Sequence, residues 1–341
     1  MRIAVCRPQV PFARGGVEIF TDTLVEELRS RGHEADLVSV PFKWYPGARV
    51  LTQAFLWRML DVSEADGVPV DVVVATKFPS YVVRHPDKRV WLVHQFRQAY
   101  ELDRTPLGQF GESAEERAVR RQVQALDRIA LGEATRLFAT SANVAGRLER
   151  STGLTADVLP HPPQGLAFRN DGYGDYILSV SRLDRAKRID LLLEAAALDP
   201  ALEVVVASDG PDRERLEAIS RDRHLDGRVR FTGRVSAGEL EDLYASCLAT
   251  YYAPVDEDFG MGPYESFLSE KPVITMRDAG GPLDIVHDGR TGLVVEPDAA
   301  SVARAAAWLR EHRDEAAVYG QAGKVAAGDV TWERAIARLL A

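Results

Sequence analysis

The stretch Glu257-Asp258-Phe259-Gly260-Met261-Gly262-Pro263-Tyr264-Glu265 decides the fold, because it joins an apolar run, Leu248 to Val255, to a short helical pattern. Gly260 and Gly262 allow the backbone to bend tightly and to approach a ligand closely. Pro263 suits the first position of a helix, where no amide hydrogen is needed. The stretch therefore predicts a strand, a glycine loop and a helix beginning at Pro263, whose unpaired amides face a phosphate.

Two glutamates bracket this glycine loop. Glu257 and Glu265 can only accept hydrogen bonds when they are ionised, so they suit the hydroxyl groups of a ribose or hexose better than a phosphate. The loop between them, with Phe259 and Met261, is thus predicted to bind a nucleotide sugar.

Short apolar runs alternate with amphipathic stretches on both sides of the loop, which is typical of parallel sheets with crossover helices. In the first half, strands are predicted at Ile3–Cys6, Ala35–Val40, Asp71–Ala75, Val90–His94, Leu137–Thr140 and Ala156–Leu159. In the second half, they are predicted at Tyr176–Val180, Leu202–Ala207, Arg228–Thr232, Leu248–Ala253, Pro272–Met276 and Gly292–Val295. Helices are predicted at Val17–Arg31, Glu112–Gly132, Leu191–Leu198, Arg213–Arg221, Ala237–Ser246, Pro263–Ser269 and Ala300–Glu311.

A linker separates the two series, because Leu159–Gly165 and Asn170–Gly174 are rich in residues that continue neither helix nor strand. The sequence therefore predicts an α/β protein of two doubly wound domains that face each other across a deep cleft. Ligands of such sheets bind beyond the carboxyl ends of the strands.

The composition is that of a globular protein of about two domains. A net charge of -9 argues against general affinity for nucleic acid or an anionic membrane. No apolar run approaches the roughly 20 residues that cross a bilayer, so a cytoplasmic location is expected. Cys6 and Cys247 both lie in apolar surroundings and are expected to be buried free thiols.

Basic residues follow the first strand of the second series. Arg182 and Lys187 are placed to neutralise a diphosphate that leaves during group transfer, although a solvated basic turn is the alternative. Ala279-Gly280-Gly281-Pro282 repeats the glycine-proline pattern and either braces the same ligand or forms a plain turn. Asp209-Gly210-Pro211 is interpreted as a turn first.

In the first domain, Gly15 and Gly16 precede a helix and are expected to touch donor phosphates or an acceptor. His94 ends the most apolar strand, where it can donate a hydrogen bond to a sugar or share a proton; a structural histidine is the alternative. The histidines show no metal-ligand spacing, and no metal or other cofactor is expected.

Taken in order, these features resemble the retaining glycosyltransferases of family 4, which have the GT-B fold of two Rossmann-like domains. The matching motifs are Gly15-Gly16, Ser181-Arg182-Leu183 with Lys187, Asp209-Gly210-Pro211, Phe231-Thr232-Gly233, Glu257 to Glu265 with Phe259-Gly260, Lys271-Pro272-Val273-Ile274, and Gly280-Gly281-Pro282 with Asp288 to Gly292. The resemblance covers nearly the whole chain and is most specific over residues 176–297.

The resemblance implies roles for single residues. Glu257 would lie near the donor sugar, Glu265 would hold the ribose, and Arg182 with Lys187 would stabilise the leaving nucleoside diphosphate. His94 matches the active-site histidine of the family.

The resemblance also assigns the domains. Residues 1–165 would bind the acceptor, residues 170–324 would bind the donor, and the last helix, within residues 325–341, would pack back on the first domain. The backbone of Gly233, Arg234 and Val235 would lie beside the base.

Three positions depart from the family pattern. Ser208 stands where glycine usually precedes Asp-Gly-Pro, Arg188 replaces the usual glycine after the lysine, and His161-Pro162-Pro163 replaces an Asn-Gly turn. None of them removes an expected catalytic group.

Retention in the family implies that the acceptor hydroxyl attacks from the face that the diphosphate leaves, without a covalent enzyme intermediate. A covalent role for Glu257 is the rival mechanism, but it needs a second carboxylate as acid and base. A dinucleotide-dependent oxidoreductase fits poorly, because Glu265 stands at the third glycine position and Asp278 follows too soon. A nucleotide-sugar 2-epimerase and a non-catalytic nucleotide-sugar binding protein remain as alternatives.

The expected partners are a UDP- or GDP-sugar as donor and a hydroxyl-bearing acceptor such as a glycan, a lipid-linked sugar or a secondary metabolite. Phe42 to Pro46 and Phe55 to Arg58 form an aromatic, mildly basic stretch in the acceptor domain. A sugar site and peripheral contact with a membrane are both compatible with it, but a packed helix and loop is the leading interpretation.

Overall fold

The computed structural model describes residues 1–12, 14–103, 105, 108–163 and 165–341. The chain divides into two compact units, one of Met1–Pro162 with Trp332–Ala341 and the other of Pro163–Thr331. Residue 164, within the predicted linker, lies outside the described residues. None of the helices in the described ranges is both long and apolar enough to span a bilayer.

The first unit contains a six-stranded parallel sheet with the order β2-β1-β5-β6-β7-β8, and β3 and β4 form a separate small hairpin. Its strands are β1 (Arg2–Gln9), β2 (Glu34–Pro41), β3 (Glu64–Ala65), β4 (Val68–Pro69), β5 (Val72–Lys77), β6 (Lys88–His94), β7 (Arg136–Ala139) and β8 (Asp157–Val158). Its first four helices are α1 (Gly16–Ser30), α2 (Val50–Met59), α3 (Ala114–Gly132) and α4 (Ala142–Thr152).

Both faces of this sheet are covered, as the continuous apolar strands predict. Successive side chains of a strand point to opposite faces. Ile3 and Val5 accordingly join the apolar cluster that contains α1, while Ala4 and Cys6 join the cluster that contains α2, α3 and α4. Cys6 and Cys247 are both buried and free, as predicted, and burial raises the pKa of each thiol to about 12.

The second unit contains another six-stranded parallel sheet, with the order β11-β10-β9-β12-β13-β14. Its strands are β9 (Tyr176–Val180), β10 (Glu203–Ala207), β11 (Val229–Gly233), β12 (Ala249–Tyr251), β13 (Val273–Met276) and β14 (Gly292–Val295). Its helices are α5 (Ile189–Leu198), α6 (Arg213–Asp222), α7 (Ala237–Ser246), α8 (Met261–Leu268), α9 (Ala299–Glu311) and α10 (Arg313–Gly328).

The last helix, α11 (Trp332–Leu340), belongs to the first unit. Ile336 and Leu339 are buried in the same cluster as Phe20 and Trp91. The guanidinium of Arg89 donates to the carbonyl oxygen of Leu339 at 2.7 Å. The chain therefore returns to the first sheet after it completes the second.

α10 is a helix that the sequence pattern did not delimit, since Gly320 and Gly323 lower its helix propensity. The tertiary packing accounts for both glycines. A Cβ on Gly320 would lie 1.8 Å from the carbonyl oxygen of Glu270, and one on Gly323 would lie 2.2 Å from Cδ1 of Phe267. Because Gly320 and Gly323 have no side chains, α10 can approach α8 and the residues that follow it closely.

α2 contains Phe55 to Arg58, part of the aromatic stretch for which a packed helix and loop are predicted. Val50, Ala54 and Trp57 are buried on one face. Phe55, Leu56 and Met59 are exposed on the other, and so are Trp44 and Tyr45 in the preceding loop. One face of the predicted helix is therefore packed and the other carries large apolar side chains in solvent.

Candidate functional site

The second sheet has a point where the chain reverses its direction of strand addition, between β9 and β12. In open α/β sheets, ligands bind beyond the carboxyl ends of the strands at such a switch point. Lys187 follows β9 and Glu257 follows β12. The ammonium of Lys187 and the carboxylate of Glu257 form an ion pair there, so two predicted site residues from distant parts of the chain meet at the expected place.

The ion pair is largely shielded from solvent, with 17% of the Lys187 side chain and 22% of the Glu257 side chain exposed. Burial on its own lowers the pKa of Lys187. The phenol of Tyr252 and the carboxylate of Glu257 outweigh it and hold the pKa of Lys187 above its ordinary value. The ammonium is also 5.5 Å from the centroid of the Tyr252 ring, within the range of a cation–π interaction. Lys187 is therefore a cation throughout the physiological pH range.

α8 begins at Met261, so the predicted start at Pro263 is wrong by two residues. Gly260 is the residue before the helix and has a φ of 88°. This left-handed conformation favours glycine. Pro263 occupies the third helical position, where the missing amide hydrogen is tolerated because the first four amides of a helix have no partner within it.

Tyr252 lies directly against the glycine loop. A Cβ on Gly260 would be 2.9 Å from Cε1 of Tyr252, and one on Gly262 would be 2.6 Å from its Cδ2. The two glycines thus make room for the aromatic ring, which in turn contacts Lys187. Tyr252 was not predicted as a site residue, because its only signal in the sequence is its position one residue after β12. The expected approach of a ligand to this loop stays a prediction.

The second glycine-proline segment braces the first. The amide of Glu257 donates to the carbonyl of Ala279 at 2.8 Å, and the amide of Gly281 donates to the carbonyl of Glu257 at 2.9 Å. A Cβ on Gly281 would lie 2.6 Å from the carbonyl oxygen of Phe259. The two loops therefore pack backbone against backbone, which requires glycine at residue 281.

Glu265 lies in the second turn of α8. Its Oε2 accepts a hydrogen bond of 2.8 Å from the hydroxyl of Tyr244, which is itself buried. Burial raises the pKa of the Glu265 carboxyl above its ordinary value, and the Tyr244 hydroxyl opposes the shift. Phe259, by contrast, is buried in a stack with Tyr264, with ring centroids 4.7 Å apart, so its ring contributes packing to the loop.

Arg182 is exposed, and its guanidinium makes no hydrogen bond or ion pair with any residue that the structure describes. The backbone beside it is held by the turn after β10. A Cβ on Gly210 would lie 2.2 Å from the carbonyl oxygen of Leu183. Ser208, at the start of that turn, has a φ of 122°, a conformation that favours glycine.

Arg188 also occupies a left-handed conformation, with a φ of 52°. Its guanidinium donates to the carbonyls of Ala253 and Pro254 and to both carboxylate oxygens of Asp278, at 2.7 to 2.9 Å. The departure from glycine therefore adds a side chain that ties the Lys187 loop to the ends of β12 and β13. Asp278, which the oxidoreductase alternative needed for a ribose, is occupied by this arginine.

Gly233 is the last residue of β11, which lies two strands away from β9, and Arg234 and Val235 follow it. Gly233 has a φ of 70°, and its carbonyl accepts from the amide of Ser208 at 2.8 Å. Arg234 and Val235 line a cavity of about 510 Å³ beside β11 and α7. This cavity is separate from the Lys187–Glu257 pair, and the predicted contact of the segment with a base stays a prediction.

In the first unit, Gly15 precedes α1 and Gly16 is its first residue, one residue before the predicted start at Val17. The amide of Gly15 donates to the carboxylate of Glu18 at 2.9 Å, and Glu18 also lies 3.4 Å from the ammonium of Lys77. A carboxylate therefore already occupies one amide at this helix start. Neither Glu18 nor Lys77 was singled out from the sequence, and phosphate binding at Gly15 stays a prediction.

His94 is the last residue of β6, and its Nδ1 lies 2.6 Å from the carbonyl oxygen of Gln95. A carbonyl oxygen only accepts, so Nδ1 carries the hydrogen. Across the described ranges, no cluster of three or more His, Cys, Asp or Glu side chains is arranged to hold a metal ion. The expectation that no metal takes part stays a prediction.

Residues 168–326 match the family described as glycosyl transferases group 1. Among curated proteins, a GDP-mannose-dependent alpha-mannosyltransferase of Mycolicibacterium smegmatis is 36% identical over 128 residues, which cover 38% of this chain and 32% of the relative. A sucrose synthase of Acidithiobacillus caldus is 29% identical over 191 residues, which cover 48% of this chain and 24% of the relative. The match thus spans about a quarter to a third of these relatives.

Solved structures share the fold over the whole chain. Sucrose-phosphate synthase from Thermosynechococcus elongatus has a TM-score of 0.79 at 20% identity, covering 99% of this chain and 97% of that one. HepE of Anabaena in complex with UDP and glucose has a TM-score of 0.72 at 16% identity, covering 100% and 99%. These neighbours are GT-B glycosyltransferases, so the predicted fold class is confirmed: an α/β protein with two parallel-sheet domains.

Proposed function

Residues 168–326 belong to the group 1 glycosyltransferases, and from this membership we propose that the chain moves a hexose-type sugar from a nucleoside diphosphate sugar to a hydroxyl acceptor. The observation that carries the proposal is the Lys187–Glu257 ion pair at the switch point of the second sheet. It combines a cation suited to phosphate and an acceptor suited to sugar hydroxyls in one place.

The charges of the site support a role for the exposed Arg182 in neutralising the leaving diphosphate. The ion pair with Glu257 cancels the charge of Lys187. The positive charge that is available to a diphosphate therefore comes from Arg182 and the start of α8. When a donor binds, hydroxyl groups of the sugar would donate hydrogen bonds to Glu257 in place of Lys187. The ammonium of Lys187 would then face the diphosphate. Cationic groups aimed at charge that grows in the transition state are among the strongest contributors to catalysis.

Glu265 would hold the ribose in this proposal. Tyr244 already donates to one of its oxygens and thereby orients the carboxylate. The second oxygen would accept from a ribose hydroxyl. Two carboxylates that address different sugars of one ligand would distinguish a nucleotide sugar from a free nucleotide.

We propose retention of the anomeric configuration by attack of the acceptor hydroxyl on the face that the diphosphate leaves, with a phosphate oxygen taking the proton. The pairing of Glu257 with Lys187 favours this mechanism over a covalent one, because an ion-paired carboxylate is a weaker nucleophile. His94 would exchange a hydrogen bond with a sugar hydroxyl. The cationic groups replace a metal ion, so chelation with EDTA should leave the rate unchanged.

The UDP complex of HepE and the name of the GDP-mannose-dependent relative support UDP- and GDP-sugars as the first donors to test. We expect calorimetry to detect binding of UDP or GDP, and weaker binding of the analogue that lacks both ribose hydroxyls. The variant Glu265→Gln should reduce that difference. Equal affinity for the two nucleotides in the wild type would contradict the ribose role.

Transfer itself is tested with a donor labelled in the sugar and a panel of glycan, lipid-linked and small hydroxyl acceptors. Release of nucleoside diphosphate together with an α-linked labelled product from an α-linked donor would support the proposal. Label that appears only in an isomerised donor would establish an epimerase. Donor binding without release of nucleotide for any acceptor would identify a binding protein.

A further inference from the structure

His94 is held by a contact that fixes the position of its ring proton. The hydrogen on Nδ1 points to the carbonyl oxygen of Gln95 at 2.6 Å. Any proton that the ring exchanges with a sugar hydroxyl must then pass through Nε2. Which ring nitrogen of His94 carries the proton therefore depends on how firmly the carbonyl of Gln95 is held.

Two helices hold the side chain of Gln95, which is 5% exposed. Its amide nitrogen donates to Oδ2 of Asp127 on α3 at 3.3 Å, and its amide oxygen accepts from the hydroxyl of Ser151 on α4 at 2.9 Å. Both ends of the amide are therefore engaged. A side chain restrained on both sides also restrains the backbone to which it is attached.

Asp127 is a strong anchor for this amide. It is fully buried, and the hydroxyls of Tyr81 and Tyr100 each donate to one of its oxygens at 2.8 Å. With Gln95, three donors surround a single carboxyl group. Burial raises the pKa of Asp127 to about 7, while the three hydrogen bonds oppose the shift. A buried carboxyl is costly, and packing alone would be served better by an apolar residue.

We propose that Asp127 and Gln95 are positioning residues: together with Ser151 they hold the Gln95 carbonyl against Nδ1 of His94 and keep the ring proton on that nitrogen. The part of His94 in sugar transfer rests on the proposed function. The protonation of its ring does not, and it can be measured without any donor or acceptor. The three residues belong to the first unit, whereas Lys187 and Glu257 belong to the second.

The test is nitrogen NMR of the full-length protein labelled at histidine, with the His94 signals assigned by comparison with His94→Gln. At a pH where the ring is neutral, we expect the hydrogen on Nδ1 in the wild type. Gln95→Leu keeps the backbone carbonyl but removes both side-chain hydrogen bonds that hold it, so it should shift the ratio of the two neutral tautomers by up to roughly fivefold, the value of the whole hydrogen bond from Nδ1. Ser151→Ala removes the hydrogen bond that α4 makes to Gln95, and it should shift the ratio in the same direction by a smaller factor.

Tyr81→Phe is the matched control, because it removes a hydrogen bond from Oδ1 of Asp127, the oxygen that does not accept from Gln95. We expect it to leave the tautomer ratio of His94 unchanged. Unchanged ratios in Gln95→Leu and Ser151→Ala, or an equal shift in Tyr81→Phe, would overturn the proposal. If transfer is then measured, Gln95→Leu should lower kcat and leave the donor KM unchanged. A wild type without transferase activity would refute the proposed function and leave the NMR result intact.

Discussion

Replacement of Gly262 by alanine tests the packing of Tyr252 against the glycine loop. The new Cβ would lie 2.6 Å from Cδ2, 3.0 Å from Cε2 and 3.3 Å from Cγ of the Tyr252 ring. Carbon atoms in ordinary contact are about 3.5 to 4.0 Å apart, so the ring would have to move by about 1 Å. Overpacking of this kind costs about 1 to 3 kcal/mol of the free energy of unfolding.

The same substitution should change sign when the ring is absent. Gly262 lies in α8 without a positive φ, and alanine is the better helix former by about 1 kcal/mol. In the background Tyr252→Ala, Gly262→Ala should therefore be neutral or stabilising by up to about 1 kcal/mol. The double-mutant cycle should then give a coupling energy of about 2 kcal/mol or more.

Hydrogen exchange of the α8 amides, followed by mass spectrometry, reports the local free energy of opening in a chain of two units. Gly16→Ala is the matched control, because it also lies at a helix start and its new Cβ would have no neighbour within 4 Å. We expect Gly16→Ala to cause no loss of local stability in α1. Additive effects of Gly262→Ala and Tyr252→Ala would refute the assignment of the glycines to the Tyr252 ring.

Three further outcomes are expected. Lys187→Met should lower kcat by roughly 10²- to 10³-fold with little change in donor KM, whereas the exposed neighbour Arg185→Met should retain kcat; steady-state rates at saturating donor decide this. Ser208→Gly should raise the free energy of unfolding by about 1 to 2 kcal/mol, measured by urea denaturation, because glycine adopts a φ of 122° without strain. The pKa of Asp127 is about 7 in the folded protein and near its ordinary value when unfolded, so its stabilising contribution is complete below about pH 4 and is lost as the pH rises through 7. Asp127→Asn keeps polar contacts to Tyr81 and Tyr100 and should flatten this part of the dependence of stability on pH. Thermal unfolding of both proteins over the same series of pH values checks this. An equal slope of melting temperature against pH in the two proteins would contradict the prediction.

Local sequence patterns predicted a helix or strand well where its residues intrinsically favour the conformation that they adopt. Tyr176–Val180, Gly292–Val295 and Ala237–Ser246 have the same bounds in the sequence analysis and in the structure. α10 was not delimited, because Gly320 and Gly323 serve a close approach to other elements and contradict helix propensity. The start of α8 was misplaced, because Pro263 is compatible with any position in the first turn.

The candidate site divides in the same way. Lys187 and Glu257 were predicted from the residue types that follow two strands, and the parallel sheet brings them together. Tyr252 and Arg188 were not predicted as contributors, since a tyrosine after a strand and an arginine in a basic turn have no distinctive local pattern. Their roles depend on contacts with Gly262 and Asp278, which lie 10 and 90 residues further along the chain.

The sequence by itself determined the alternation of strands and helices, the glycine loop before α8 and the chemical types of the residues at the strand ends. These features depend on hydrophobic periodicity and backbone freedom, which act over a few residues. The tertiary structure alone decided that Lys187 is paired with Glu257, that Tyr252 fills the space beside the glycines, and that Asp127 holds Gln95 next to His94. Such contacts join distant segments, and their burial and hydrogen bonding are properties of the packed fold.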